Sequence, residues 1–361
     1  MAYSRSAYDG TAFFGSHDAS LRCAFVGGST QIVPDFVPGA LWWEIPLDGA
    51  LYASPVLALV PSSSSTSEEN STEYDSLDEL LLAATTKGTV FCFSLGVLHS
   101  LVGSGPSKRA SETTASSPPS RPLWRYKAGA PVFATPAVDL ALGLVIVAAV
   151  SGAVAGVDLA DGSARWVVLS PRAVFSSPTL GWVPVPDSVG NAGTEPPARL
   201  RVFVTGGHDG AVTCRDVATG RRRWSTNLAE QCGMEPFIND EEDQPLTLVS
   251  STSGAEDHDA VSGTDAVFAT PAVFLASGAA SSDVGLPFVA ASSQSGTFAV
   301  LDLETGKPIM ACRLPGQVFS SAVVLPSVLR RDGTSARSHV AFVGCRDDHI
   351  YALDLSLPTG D

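Results

Sequence analysis

Positive charge is scarce in this sequence: 22 Lys and Arg residues face 37 Asp and Glu, a net charge of −15. Phosphate backbones are bound through clustered Lys and Arg, so this balance argues against a nucleic-acid partner. The basic runs are Lys108-Arg109, Arg221-Arg222-Arg223 and Arg330-Arg331, and at that length they read as solvated turns. The six cysteines, Cys23, Cys92, Cys214, Cys232, Cys312 and Cys345, include no CxxC spacing and no adjacent pair. A zinc site of the usual spacing is excluded. Four of them fall in apolar, strand-like runs, as buried reduced thiols of a cytosolic protein do, so a cytoplasmic location is expected. The stretch Met1-Ala2-Tyr3-Ser4-Arg5-Ser6 lacks the apolar core of a secretory leader. Amphipathic helices of ordinary length are missing too. One long uncharged run exists, the 18 residues from Leu140 to Val157, which has the length of a membrane span. Gly143, Ser151, Gly152 and Gly156 interrupt it, so two buried strands joined at Ser151-Gly152 are expected and no membrane partner.

What the chain does contain is repetition. Hydrophobic residues make up 45% of it, in short runs rich in Val, Phe, Ala and Thr, punctuated by 33 Gly and 25 Pro. Such runs read as strands separated by turns. One phrase recurs: an aromatic, two small residues of which the second is Ser or Thr, then Pro. It stands at Tyr52-Ala53-Ser54-Pro55, Phe133-Ala134-Thr135-Pro136, Phe175-Ser176-Ser177-Pro178 and Phe268-Ala269-Thr270-Pro271. Phe319-Ser320-Ser321-Ala322 is the same phrase without its Pro, and Tyr3-Ser4-Arg5-Ser6 reads as a decayed copy.

A second phrase joins two apolar strands through a tight polar turn, at Gly15-Ser16-His17-Asp18, Thr86-Lys87-Gly88, Val150-Ser151-Gly152, Gly207-His208-Asp209-Gly210, Gln294-Ser295-Gly296 and Gly344-Cys345-Arg346-Asp347. Gly and Asp tolerate the positive φ that such hairpins require. A third phrase runs from Asp through Gly to Trp: Asp158 and Gly162 lead to Trp166, and Asp216 and Gly220 lead to Trp224. Asp302 and Gly306 lead only to Met310, while Trp42-Trp43 and Trp124 hold the Trp slot in the first two copies. Trp124 to Trp166 and Pro136 to Pro178 both span 42 residues; two independent landmarks share one period.

A repeat of this size is one four-stranded antiparallel sheet that cannot bury both faces alone. Radial stacking solves this, giving an all-β propeller. Pro is tolerated where the first strand begins, the aromatic packs between neighbouring sheets, and the Trp docks on the next sheet with its N–H on a backbone carbonyl. About six units are expected, at 1–48, 49–128, 129–170, 171–229, 230–315 and 316–361. The polar stretches 60–79, 103–121, 183–198 and 229–265, the last carrying Asp240-Glu241-Glu242-Asp243, read as surface insertions. The last unit has no outer strand or Trp before Asp361, so an incomplete ring of a seven- or eight-bladed propeller is the expectation.

The Asp-x-x-Thr-Gly-x-x-x-Trp phrase at Asp216–Trp224 resembles the PQQ-like repeats of quinoprotein dehydrogenases. Over residues 264–356, Phe268-Ala269-Thr270-Pro271, Glu304-Thr305-Gly306, Leu314 to Ser321, Val343 to Asp347 and Tyr351 to Leu355 are similar to the C-terminal propeller of beta-alanine-activating enzymes. Those are adenylate-forming, nonribosomal-peptide-synthetase-like proteins of the acyl-CoA synthetase family. No Gly-rich adenylation loop is present, and Asp75-Ser76-Leu77 lacks the glycines that precede a phosphopantetheine serine, so it reads as a loop. A quinone site would imply adjacent cysteines and converging Ca²⁺ ligands, which this sequence does not offer.

No residue is assigned a catalytic, cofactor-binding or metal-binding role, and no cofactor is expected. His17-Asp18, His208-Asp209 and Arg346-Asp347 occupy equivalent turns, which points to service of the turn over acid–base work. His99, His258, His339 and His349 have no metal-ligand spacing, and Cys345 has no sequence-placed His partner. The expected function is a non-catalytic interaction or scaffold module for a protein partner; the alternative is an accessory domain, or fragment, of an adenylate-forming enzyme.

Overall fold

The computed structural model describes residues 11–26, 39–61, 77–95, 121–185, 199–231, 265–276, 286–326, 339–355 and 357. These residues form 22 strands and a single helical turn, Leu228–Gln231. The strands fall into six sheets, each hydrogen-bonded in chain order. Sheet one holds β1 (Thr11–Gly15), β2 (Ser20–Phe25) and β3 (Leu41–Pro46). Sheet two holds β4 (Val56–Pro61), β5 (Leu77–Ala84), β6 (Thr89–Ser94) and β7 (Trp124–Lys127). Sheet three comprises β8 (Ala137–Asp139), β9 (Leu144–Ala148), β10 (Ala153–Asp158) and β11 (Ala164–Leu169). Sheet four comprises β12 (Thr179–Pro184), β13 (Arg199–Gly206), β14 (Ala211–Asp216) and β15 (Arg222–Asn227). Sheet five is β16 (Ala272–Ala276), β17 (Leu286–Ser292), β18 (Thr297–Asp302) and β19 (Pro308–Arg313), and sheet six is β20 (Val323–Pro326), β21 (His339–Gly344) and β22 (Ile350–Leu355).

Two compact units are distinguished: residues 1–205 with 215–223, and residues 206–214 with 224–361. In the first, Leu21, Trp43 and Ile45 of sheet one pack with Leu81, Phe91 and Phe93 of sheet two. The other face of sheet two, through Leu80, Leu82 and Cys92, packs with Val145, Val147 and Val157 of sheet three. In the second, Phe288, Ala290, Phe298 and Val300 of sheet five meet Ala341, Val343 and Leu355 of sheet six. A middle strand with neighbours on both faces has no polar side, which is why β9 reads Leu-Val-Ile-Val-Ala and is buried throughout. The last strands β11 and β19 keep exposed positions. The run Leu140–Val157 therefore contains β9 and β10 with the Ser151-Gly152 turn between them. No helix among the described residues is long and apolar enough to cross a membrane.

All six predicted hairpin turns lie where expected, between β1 and β2, β5 and β6, β9 and β10, β13 and β14, β17 and β18, and β21 and β22. Each of the four inner ones ends on a left-handed glycine, as at Gly88 with φ 73°, the geometry of a type I turn closed by a G1 bulge. A Cβ on Gly88 would stand 2.4 Å from the Ala130 carbonyl oxygen, so the incoming backbone of the next link requires glycine as well. The first turn holds Ala19 at φ 66° in the same place. An alanine there carries left-handed strain that glycine lacks, partly offset by glycine's larger entropy loss on folding. Ala19→Gly is expected to raise stability by about 0.5–1 kcal/mol, read as a higher urea midpoint at unchanged slope; a lower midpoint refutes the assignment.

The predicted insertions need trimming at their ends. Val60 and Pro61 belong to β4, and Leu77 to Glu79 to β5, with Glu79 buried. Val183 and Pro184 complete β12, and Val183 is fully buried. Polar composition hid these strand ends because a short edge residue beside a Ser- or Pro-rich stretch looks like part of it. The remainder of 60–79, 103–121, 183–198 and 229–265 lies almost wholly outside the described residues, as do Tyr3-Ser4-Arg5-Ser6, Asp75-Ser76, Lys108-Arg109 and Arg330-Arg331.

Candidate functional site

The aromatic phrase does two jobs where sheets two and three, three and four, and five and six meet. Its ring touches the ring of the next phrase: Tyr52 to Phe133 at 5.1 Å, Phe133 to Phe175 at 5.7 Å, and in the second unit Phe268 to Phe319 at 5.4 Å. Its Ser or Thr hydroxyl accepts the backbone N–H of the preceding phrase. Ser54 N–H donates to Thr135 Oγ1 at 3.0 Å, Thr135 N–H to Ser177 Oγ at 2.9 Å, and Thr270 N–H to Ser321 Oγ at 2.9 Å. The residue before the aromatic donates its N–H to the preceding hairpin: Leu51 to the Ser16 carbonyl, Val132 to Thr85 and Val267 to Gly207. Each Pro of the phrase directly precedes a first strand, β4, β8, β12 or β16, where no ladder bond is lost.

The Trp phrase locks the junctions of sheets two and three, three and four, and four and five. Trp124 Nε1 donates to the Leu159 carbonyl at 2.9 Å, Trp166 to Val217 at 3.0 Å and Trp224 to Leu303 at 2.8 Å. Each indole also covers the glycine of the next sheet's Asp-to-Gly turn; a Cβ on Gly162 would lie 2.7 Å from the Trp124 ring. Trp43, not Trp42, holds the slot in sheet one, because it sits opposite Cys23 at the same bulge that places Trp166 opposite Gly156 and Met310 opposite Val300. Its Nε1 is buried with no hydrogen-bond partner among the described residues. Trp124 faces Cys92 in the same way, so two of the cysteines are small residues beneath an indole. Burial pushes the Cys92 thiol up to about 12 and, against a hydrogen bond with Thr11, the Cys23 thiol to about 11. Neither is a nucleophile at neutral pH.

Two polar clusters were not singled out from sequence. In the first unit the Asp48 carboxylate accepts from Thr85 Oγ1 at 2.7 Å, from Thr89 Oγ1, and from Lys127 Nζ at 3.0 Å. In the second, Asp265 accepts from the Ser295 N–H at 2.7 Å and its hydroxyl at 2.5 Å, while Arg313 donates to Thr297 at 3.3 Å. The readable signal was the hydroxyl-flanked turn, Thr85-x-x-Gly88-Thr89 and Ser293-x-x-Gly296-Thr297, following an Asp in the link. In the first cluster every donor is directed at one carboxylate, so the arrangement clamps the link to the hairpin. Burial raises the Asp48 pKa, but the Thr89 and Thr85 hydroxyls and the Lys127 ammonium outweigh it and leave the group below its ordinary value. A depressed folded pKa contributes stability above the unfolded value near ~3.9 that is lost as pH falls through the folded one. The melting-temperature gap between the wild type and Asp48→Asn is therefore expected to be constant from about pH 5 to 8 and to narrow below about pH 4. A gap that does not respond to acid would count against the clamp.

The paired turn residues divide their work. Asp18, Asp209 and Asp347 each accept the backbone N–H two residues on, from Ser20, Ala211 and His349. Their neighbours lie on phrase aromatics: His17 on Tyr52 at 4.3 Å, His208 on Phe268 at 5.1 Å, and the Arg346 guanidinium 4.7 Å from the Phe319 ring centre. His339 is buried at the start of β21, beside Phe274, and His349 is exposed. Trp182 lies within β12 under the Arg199 guanidinium at 3.9 Å. Among the described residues no three His, Cys, Asp or Glu side chains gather as a metal ion would require. His99, Cys232 and His258 lie outside the described residues.

One side of sheet six carries open apolar surface, as does sheet one at Phe14 and Leu41. A cleft of about 410 Å³ is lined by Gln317, Phe319, Ser320, Arg346, His349 and Ile350, among others. On the side of β22 that faces sheet five, the Tyr351 hydroxyl donates to Asp347 Oδ2 at 2.5 Å, which holds that carboxyl below its ordinary range and pushes the phenol up to about 12. The strand face that continues the cleft carries Ile350, Val323, Leu325 and Phe342, exposed by 77%, 55%, 49% and 39%.

A repeat-family model described as outer membrane protein assembly factor BamB, of the PQQ-like type, matches residues 107–253. Two solved structures share the fold of this chain. Saccharomyces cerevisiae Sqt1 superposes with a TM-score of 0.52 at 12% identity, over 97% of this chain and 69% of that one. Chaetomium thermophilum Sqt1, bound to the N-terminus of the ribosomal protein L10, gives 0.51 at 12%, over 96% and 67%. The fold is a β-propeller. Among curated proteins, the beta-alanine-activating enzyme of Homo sapiens is 39% identical over 67 residues, which is 19% of this chain. The match spans only 5% of the enzyme's length.

Proposed function

We propose that this PQQ-like propeller is a non-catalytic interaction module that holds a partner protein, and that it works in the cytoplasm. The observation that carries the reading is the contrast between spent and unspent residues. The phrase aromatics, hydroxyls, tryptophans and turn His-Asp pairs are engaged in junctions, whereas sheet six offers a cleft beside exposed Ile350, Val323, Leu325 and Phe342. Contiguous apolar surface of that kind marks interaction sites, and function on shared folds resides in such local sites. The free thiols Cys23 and Cys92, both buried, support a reducing compartment. Sqt1, a protein of similar fold, is known in complex with a segment of another protein, which illustrates the mode without assigning the partner.

The test is cross-linking in cells followed by purification of the tagged chain. A single protein recovered in near-stoichiometric amount, with cross-links on sheet six and loss on Ile350→Asp, is the expected result. A chain that is recovered alone under the same cross-linking would sink the reading.

The 39% identity to the beta-alanine-activating enzyme favours a second reading, in which the propeller is the accessory domain of an adenylate-forming enzyme and positions or senses the activated acid. A transcript whose reading frame continues upstream into adenylation and carrier domains would favour it. A stop codon and promoter immediately upstream would remove it.

A further inference from the structure

Away from sheet six, one buried charge has no counter-charge: we infer that Arg215, together with Arg222, binds a phosphate group, free or carried by a small monoester. Arg215 lies near the end of β14, directly before the Asp of its Asp-to-Gly turn. The residue in that place is Val157 before Asp158 and Leu301 before Asp302, and both are fully buried. Arg215 is only 6% exposed, so a guanidinium occupies what is otherwise an apolar core position. Arginine stays protonated in proteins, and a buried charge is costly unless an opposite one pairs with it.

Among the described residues no carboxylate forms an ion pair with Arg215. Its Nη1 donates to the Gly220 carbonyl at 3.1 Å, and its Nε is buried without a hydrogen-bond partner. Burial first, and then the like charge of Arg222, hold its pKa below the ordinary arginine value. The spacing of the repeat explains why the two arginines meet. Val157 pairs with Ala164 and Leu301 with Pro308, seven residues on in each case, and seven residues beyond Arg215 is Arg222. Arg222 is exposed and opens β15, with exposed Arg221 and Arg223 on either side.

Service of the turn does not account for this charge. Gly306 and Gly220 hold matching places, and each donates its N–H to the backbone carbonyl of the Asp that opens its turn, Asp302 or Asp216. Thr305 and Thr219 bond those aspartates in the same way. The Gly306 carbonyl accepts from the hydroxyl of Thr226, two residues past Trp224. Two residues past Trp166 stands Val168, which has no donor to give, so Gly220 takes its bond from Arg215 instead. One neutral N–H would meet that need. The Nε–Nη2 edge of the fork makes no hydrogen bond among the described residues, and the full positive charge is left over. Such an edge presents two parallel donors to two oxygens of one phosphate or carboxylate. The second charge, from Arg222, favours the doubly charged phosphate. The chain's net charge of −15 repels large polyanions, which favours a small ligand over an acidic macromolecule.

The test is the melting temperature of the full chain, titrated with inorganic phosphate, glycerol 3-phosphate or acetate at constant ionic strength. Phosphate or its ester should raise it saturably, by about 2–5 °C at tenfold excess over Kd, and acetate should not. A lower Kd for the ester than for inorganic phosphate marks a phosphorylated metabolite as the ligand; the reverse order marks free phosphate. Arg222→Ala, at an exposed position, should weaken binding fivefold or more, and Arg215→Leu should abolish it. Arg215→Leu places in sheet four the residue that Leu301 supplies in sheet five; if it fails to fold, Arg222→Ala carries the test. A melting temperature that phosphate leaves unmoved, a response equalled by acetate, or a response intact in Arg222→Ala overturns the inference. If a carboxylate of the acidic stretch Asp240-Glu241-Glu242-Asp243 neutralises the two arginines, phosphate leaves the wild type unmoved and Arg222→Ala melts lower without any ligand, and the inference falls.

Discussion

Trp124→Ala is expected to destabilise the first compact unit by about 3–5 kcal/mol, the cost of removing a large buried aromatic. Trp124 is 7% exposed and belongs to the cluster that joins sheets two and three. Two losses combine: the indole no longer fills the space over Gly162, and the Leu159 carbonyl loses the Nε1–H donor 2.9 Å away. Trp124→Phe should fall between the extremes, because it keeps most of the apolar volume and loses the hydrogen bond, a difference of about 1 kcal/mol in net terms. Urea unfolding followed by circular dichroism measures both. A Trp124→Ala cost below about 1 kcal/mol, the range of an ordinary surface change, would show that the junction does not rest on this side chain.

The second large effect concerns the glycine under that indole. Gly162 has φ 76°, and a Cβ added to it would sit 2.7 Å from the Trp124 ring. Gly162→Ala therefore combines left-handed strain of about 1–2 kcal/mol with overpacking of about 1–3 kcal/mol, giving an expected loss of about 2–5 kcal/mol. The two contributions separate in a double-mutant cycle. In a Trp124→Ala background the steric part disappears, so Gly162→Ala should cost only about 1–2 kcal/mol there. Additive effects in the cycle would show that Trp124 and Gly162 are not in contact, against the junction described here.

Trp124, Trp166 and Trp224 were readable as junction residues from spacing alone, since period and residue type recur together. That the Trp of one unit rests on the Gly of the next was not readable. The Asp-to-Gly turn and its Trp are neighbours in sequence, yet the Trp they precede belongs to the following junction. Trp42 and Trp43 were equivalent in sequence; the bulge opposite Cys23 made Trp43 the buried member. The same holds for the hydroxyl of the aromatic phrase. Its recurrence was plain, but its role as acceptor for the preceding phrase's N–H depends on two segments 42 to 81 residues apart. The Asp48 clamp escaped notice because Asp48, Thr85, Thr89 and Lys127 lie on separate stretches of ordinary polar composition.

By itself, the amino-acid sequence determined the class of the fold, the hairpin turns and the first-strand prolines, because those features follow from local sterics repeated at a regular interval. It also argued that the histidines and aspartates of the turns serve architecture, since a residue recurring at one turn position answers a local need of the backbone. The tertiary structure alone decided which faces are covered. In β22, Ile350 and Leu355 are both aliphatic strand residues, yet one is 77% exposed and the other fully buried. Alternation along the strand places them on opposite faces, but only the packing of sheet five against one face distinguishes them. The candidate binding surface emerged from that asymmetry, and no residue pattern within the strand announces it.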